Sequence, residues 1–216
     1  METANLIFRM THATLPDLDA ATALARAIVD QVSAAAPADT WRAEENADPV
    51  TVDHLKELVI PNETTVEDAF YSWGIVSGQP PHDLYLQMYI GWGGAESSGK
   101  AQLRLDHREQ FGRLEEVYER MARDASVDRL QLSVGASFQL DQSPDFNAEG
   151  RRLPTLGWRN RLRKPPTGFR SLSLPDWVTV RDDSSHIELT LGPSAFDLDT
   201  RDAAKVRDMV VESGLL

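Results

Sequence analysis

From Leu130 to Leu140 every even position is apolar (Leu130, Leu132, Val134, Ala136, Phe138, Leu140). The odd positions from Arg129 to Gln139 are polar or small. A strict period of two predicts a strand with one buried and one wet face, the pattern of antiparallel sheet. The same alternation recurs at Ala69, Tyr71, Trp73 and Ile75, at Leu84, Leu86, Met88, Ile90 and Trp92, and at Ala101, Leu103 and Leu105. A first strand is predicted over 5–11. A hairpin is predicted from Trp177–Arg181 and His186–Leu191, joined by Asp-Asp-Ser-Ser.

Between these strands the period changes to that of a helix. Leu18, Ala21, Ala25, Ile28 and Val32 share one face, so a helix is expected from Thr14, with Asp17 as its capping-box partner, to Ala36. Residues 38–50 read as a polar surface loop anchored by Trp41, and a short helix follows over Val52–Val59. Phe111, Leu114, Tyr118, Met121 and Ala125 define a second long helix, started by Asp106 and Glu109. Thr200 is positioned to cap a last helix over 201–212, which Gly214 stops. Residues 141–173 show no period and read as a long irregular insertion. The order predicts one α+β domain over 1–216, with a mixed, mostly antiparallel sheet and helices packed on one face.

Composition narrows the chemistry. Among 216 residues there is no cysteine, so disulfides and thiolate metal sites are excluded. No apolar run reaches the length of a membrane span, and the first residues lack a secretory pattern, so a cytoplasmic protein is expected. Acidic residues outnumber basic ones 34 to 22, a net charge of −12. A field of that sign repels nucleic acid and anionic membranes and attracts a basic partner. Arginine outnumbers lysine 18 to 4, which reads as coding bias rather than function.

Several motifs come close to known chemistry and fall short. Gly94-Ala-Glu-Ser-Ser-Gly-Lys100 matches a phosphate-binding loop up to the lysine, but Ala101 stands where a magnesium-binding hydroxyl belongs. The segment also lies between two strands, whereas a phosphate loop runs from a strand into a helix. Ser97 and Lys100 match S-x-x-K, but that pair must sit one helical turn apart for the lysine to tune the serine. Pro144-Asp145 lacks the following carboxylate and lysine of a nuclease metal site, and reads as a turn. His54 and Glu57 are three apart with no second histidine in ligand spacing. No catalytic residue, metal site or cofactor is expected on these grounds.

The stretch 151–170 holds seven basic residues and no acidic one, interleaved with Trp158 and Phe169. Nucleic-acid binding is one reading of such a stretch. Pairing of its arginines with the acidic surface of the same chain is the favoured one. In the last 60 residues, Gly157-Trp158 is followed by Leu174-Pro175, a two-strand hairpin, Phe196-Asp197 and a terminal helix ending Gly214-Leu215-Leu216. That order resembles the bacterial immunity protein 52 family, the antidotes encoded beside polymorphic toxins. The resemblance implies a cytoplasmic, non-enzymatic inhibitor that binds and occludes its toxin, and it supplies no site residues.

Charge and loop placement nominate the partner contacts: Glu44, Glu45 and Asp48, then Asp141, Asp145 and Glu149, with Trp158 and Arg159 as interface anchors. The alternative is a small-molecule-binding domain or enzyme whose pocket lies between loops 91–100 and 141–173.

Overall fold

The computed structural model describes residues 2–36, 41–43, 51–62, 70–77, 84–91, 95–135, 156–167 and 172–216. The chain divides into two compact units, Met1–Asp128 and Arg129–Leu216. Both are built from antiparallel strands and helices, so the fold is α+β as the periodicities predict.

The first unit opens with strand β1 (Glu2–Thr11) and helix α1 (Leu18–Val32). Two three-residue strands follow, β2 (Trp41–Ala43) and β3 (Ile60–Asn62), separated by a 3-10 turn over Val52–Leu58. Three longer strands come next: β4 (Phe70–Ser77), β5 (Leu84–Gly91) and β6 (Glu96–Leu105). Helix α2 (Phe111–Met121) completes the set. The sheet runs β2-β4-β5-β6-β1, and β3 shares the outer edge of β4 with β2.

Register explains the core. Directly opposed residues lie on the same face of a sheet. The pairings therefore align three rows: Ser77–Leu84–Leu103–Ala4, Ile75–Leu86–Ala101–Leu6 and Trp73–Met88–Gly99–Phe8. Most of these side chains are fully buried. Helix α1 lies against β5, and α2 lies against β1 and β6. They close this face with Ala21, Ala25, Ile28, Val29 and Val32 from α1, and Phe111, Leu114, Val117, Tyr118 and Met121 from α2. Trp73, buried in the third row, gives its indole N–H to the carbonyl of Leu55 at 2.9 Å and so ties the 3-10 turn to the sheet.

The second unit contains the strand β7 (Val127–Val134), which begins two residues before the boundary. Strands β8 (Arg159–Arg163), β9 (Val178–Asp182) and β10 (His186–Leu191) follow, and helix α3 (Thr200–Glu212) is last. Its strand order is β7-β8-β10-β9. Leu162, Val178, Ile187, Leu189 and Leu191 meet Ala203, Val206 and Val210 of α3 in one apolar cluster. Helix α3 ends with the amides of Gly214 and Leu215 bonded back to Val211 and Val210, and Gly214 takes the positive φ of 79° that this reversal needs.

Several expectations are corrected. Helix α1 starts at Leu18, because the Asp17 carboxylate takes the Ala20 amide at 2.9 Å; Thr14 lies outside it. Asp199, not Thr200, caps α3, by accepting the Arg201 amide. Before α2 the chain makes a 3-10 turn over Arg108–Gln110, and Gln110 takes the role assigned to Glu109 by accepting the amides of Asp106 and His107. The strand predicted to have a wet face over 129–140 has none within β7, since Gln131 and Ser133 are as buried as Leu130 and Leu132. Its continuation over 136–140 lies outside the described residues.

Gly99 carries a packing prediction. A Cβ there would stand 2.3 Å from the Phe8 ring and 2.7 Å from the Gln87 carbonyl. The Gly99→Ala variant is expected to lose about 1–3 kcal/mol of stability in urea unfolding. Adding Phe8→Leu should recover part of it relative to the two single changes.

Candidate interaction surface

The glycine-rich segment is settled by strand register. Glu96–Lys100 are the first half of β6, paired with β1 and with β5, so the connection from β5 is confined to 92–95. The loop expected over 91–100 to border a pocket is therefore mostly sheet. Residues three apart on a strand point to opposite faces, so Ser97 and Lys100 cannot form a nucleophile–lysine pair. Ser97 instead meets His12, whose Nε2 lies 2.6 Å from the serine Oγ. The other ring nitrogen lies 2.8 Å from the carbonyl of Ala13. The carbonyl can only accept, so that ring nitrogen carries an N–H. Ser97 is buried, and the pair locks the end of β1 onto β6. His54 bonds to Thr51, and among the described residues no cluster of His, Asp and Glu is arranged to hold a metal ion.

The second unit gathers the unusual chemistry. Part of the insertion expected over 141–173 is strand β8, and its basic residues stand in register with β10. Arg159 faces Thr190, Arg161 faces Glu188, and Arg163 faces His186. The segment entering β8 is fixed by Asn160, whose side chain bonds both the N–H and the C=O of Gly157 at 2.8 Å. Alternation puts Arg159, Arg161 and Arg163 on the face opposite Asn160 and Leu162, away from the apolar cluster around α3.

Arg161 is the centre of this face. Its side chain is only 11% exposed. Nη1 contacts Asp183 at 3.1 Å and Glu188 at 3.4 Å, and Nη2 reaches Nδ1 of His186 at 3.1 Å. A guanidinium only donates, so Nδ1 is an acceptor and the ring carries its proton on Nε2. Asp183 in turn closes the β9–β10 turn by accepting the amides of Ser185 at 2.8 Å and His186 at 2.6 Å. Those two backbone bonds, with Arg161 as a further cause, hold its carboxyl well below the usual carboxylate range. Lys164 adds a contact to the Asp182 carboxylate and one to the Asp183 carbonyl at 2.6 Å. Arg161 and Lys164 are thus paired within the chain, as the favoured reading of 151–170 expects.

Of the nominated contacts, Glu44, Glu45, Asp48, Asp141, Asp145 and Glu149 lie outside the described residues. Trp158 and Arg159 are adjacent at the start of β8. Trp158 is half-buried and gives its indole N–H to the Gly192 carbonyl at 3.3 Å. Arg159 is half-buried on the basic face. Sequence reasoning missed β9 as an outermost strand. It carries one buried residue, Val178, and four exposed ones, among them Val180 at 44%, and Trp177 just before it is 40% exposed. The signal was present in Val-Thr-Val-Arg-Asp, which alternates less cleanly than the buried strands.

No protein-family model matches the chain, and no curated protein matches it in sequence. Among solved structures, the T6SS protein PA0821 of Pseudomonas aeruginosa is similar in fold, with a TM-score of 0.55 at 11% identity. The alignment covers 99% of this chain and 73% of that one. No helix among the described residues is long and apolar enough to cross a membrane.

The Arg161 network predicts an acid response. A carboxyl held low in the folded state stabilises it above the unfolded value of about 4, and that contribution fades as pH falls through the folded value. The melting temperature of Asp183→Asn should therefore lie below wild type at pH 7, and the gap should narrow below about pH 3. Arg161→Met leaves Glu188 without its cation and is expected to cost about 1–3 kcal/mol at pH 7.

Proposed function

We propose that this chain is a non-enzymatic immunity-type domain that binds and occludes a basic toxin domain in the cytoplasm of the cell that makes both. The observation that carries the reading is the charge balance, 34 acidic residues against 22 basic, in a chain whose motifs supply no catalytic constellation. The fold shared with a T6SS protein is compatible with it. Toxins that act on nucleic acid must themselves be basic to approach it. An acidic inhibitor meets such a domain with a complementary field, which speeds encounter and fixes orientation. Glu44, Glu45, Asp48, Asp141, Asp145 and Glu149 are the proposed acidic contacts, and Trp158 and Arg159 the proposed anchors.

The test reads the genes beside this one for a secreted protein with a basic C-terminal domain, whose absence contradicts the reading, and then uses that domain. The expected outcome is growth arrest by that domain alone, relief on co-expression of this chain, and a one-to-one complex on size-exclusion chromatography. Arrest that co-expression does not relieve, with no complex formed, contradicts the reading. Neutralising Glu44, Glu45 and Asp48 together as Gln, Gln and Asn should slow association about threefold to tenfold and leave dissociation nearly unchanged.

A further inference from the structure

His186 is a buried titratable group in the second unit. It is 2% exposed, although it shares a face of β10 with Glu188. Its Nδ1 accepts from Nη2 of Arg161 at 3.1 Å, and that bond lasts only while Nδ1 carries no proton. A proton there removes the acceptor and sets a second cation against the guanidinium.

The charges around the ring do not offset that cost. Among the described residues, β8 brings Arg163 directly opposite His186, Arg161 on the diagonal, and Lys164. β9 brings Arg181, opposite Glu188, and Asp182, which Lys164 contacts. The β9–β10 turn brings Asp183, and β10 itself brings Glu188. β7 adds Leu130 opposite Arg161 and no charge on that face. Four basic groups thus stand against three acidic ones, and burial opposes a further cation.

The same residues define where a proton takes the ring. Ser185 Oγ lies 2.8 Å from Nδ1 and 3.3 Å from Oδ1 of Asp183. Its one hydrogen serves one of these acceptors at a time. When Nδ1 is protonated, its N–H donates to Ser185 Oγ and the serine hydrogen goes to Asp183. Asp183 stays ionised for this exchange, because the amides of Ser185 and His186 hold its carboxyl well below the usual range. Arg161 cannot then stay where it is. Its Nε is already buried without a hydrogen-bond partner among the described residues, and loss of His186 takes the bond from Nη2 as well. It keeps Asp183 and Glu188 by moving away from the ring.

We infer that His186 is a proton-operated latch on Arg161: the neutral ring holds the guanidinium between β8 and β10, and the protonated ring releases it and turns to Ser185 and Asp183. The latch works within the second unit and needs no partner. Linkage gives its sign. Unfolded histidine takes a proton near pH 6.5, at about the ordinary value, and the latched ring takes it at lower pH. Between the two values the unfolded state holds more protons, so stability falls as pH drops below about 6.5. The Asp183 carboxyl acts in a separate window, below about pH 4.

The test is an NMR titration of the wild-type imidazoles, with melting followed at about pH 7.5 and 5.5. His186 is expected to be neutral with its proton on Nε2 at the higher pH, and to titrate with a midpoint below about 6.5 that rises in Arg161→Met. From the higher to the lower pH, the melting temperature of wild type should fall by about 2–4 °C more than that of His186→Asn, whose side-chain oxygen accepts in place of Nδ1 and does not titrate. A midpoint at or above the ordinary value, a proton on Nδ1 at the higher pH, or a midpoint unmoved in Arg161→Met overturns the inference. Equal falls in melting temperature for wild type and a folded His186→Asn overturn it too. If His186→Asn does not fold, the wild-type titration decides.

Discussion

The core of the first unit depends on a bare stretch of backbone. Trp73 and Phe8 stand at the two ends of one row across β4, β5, β6 and β1, and Gly99 lies between Met88 and Phe8. The Phe8 ring occupies the space where a Gly99 side chain would begin. Interiors pack at crystal-like density, so two aromatic rings in one row require a small residue between them. The neighbouring row solves the same problem with Ala101 between Leu86 and Leu6. The glycine that made the segment look like a phosphate loop is thus explained by packing.

How much of this was legible in the sequence follows from where burial is one-sided. β5 and β6 alternate cleanly because their second faces are open enough to be polar, and their period of two is visible in Leu84, Leu86, Met88 and Ile90. β7 was located by the same signal but read with a wet face, because Gln131 and Ser133 are buried polar residues that look like surface ones. β2 and β3 are three residues each, too short for any period to show. β8 was hidden by composition, since three of its five residues are arginine and no propensity scale reads Arg-Asn-Arg-Leu-Arg as a strand. It is a strand because β7 and β10 pair with its backbone on both sides, and β10 sets Thr190, Glu188 and His186 opposite its three arginines.

The candidate surface was less legible than the fold. Charge could nominate acidic residues in the intervals 44–48 and 141–149, but not which strand ends the sheet. The pairing of Arg161 with Asp183, Glu188 and His186 joins residues 22 to 27 positions apart, which only the topology brings together. The caps failed for a simpler reason. Asp17, Asp199 and Gln110 compete with Thr14, Thr200 and Glu109 within a few residues, and local geometry decides which side chain reaches the free amides.

On the proposed reading, the excess of acidic charge works over roughly a Debye length, about 10 Å at 0.1 M salt, and steers a basic partner. The rate of association separates a charge-steered inhibitor from other binders most directly. Stopped-flow mixing of this chain with the proposed basic toxin domain, across about 0.03 to 0.5 M salt, should show association slowing by at least on the order of tenfold while dissociation changes little. An association rate indifferent to salt over that range contradicts the account.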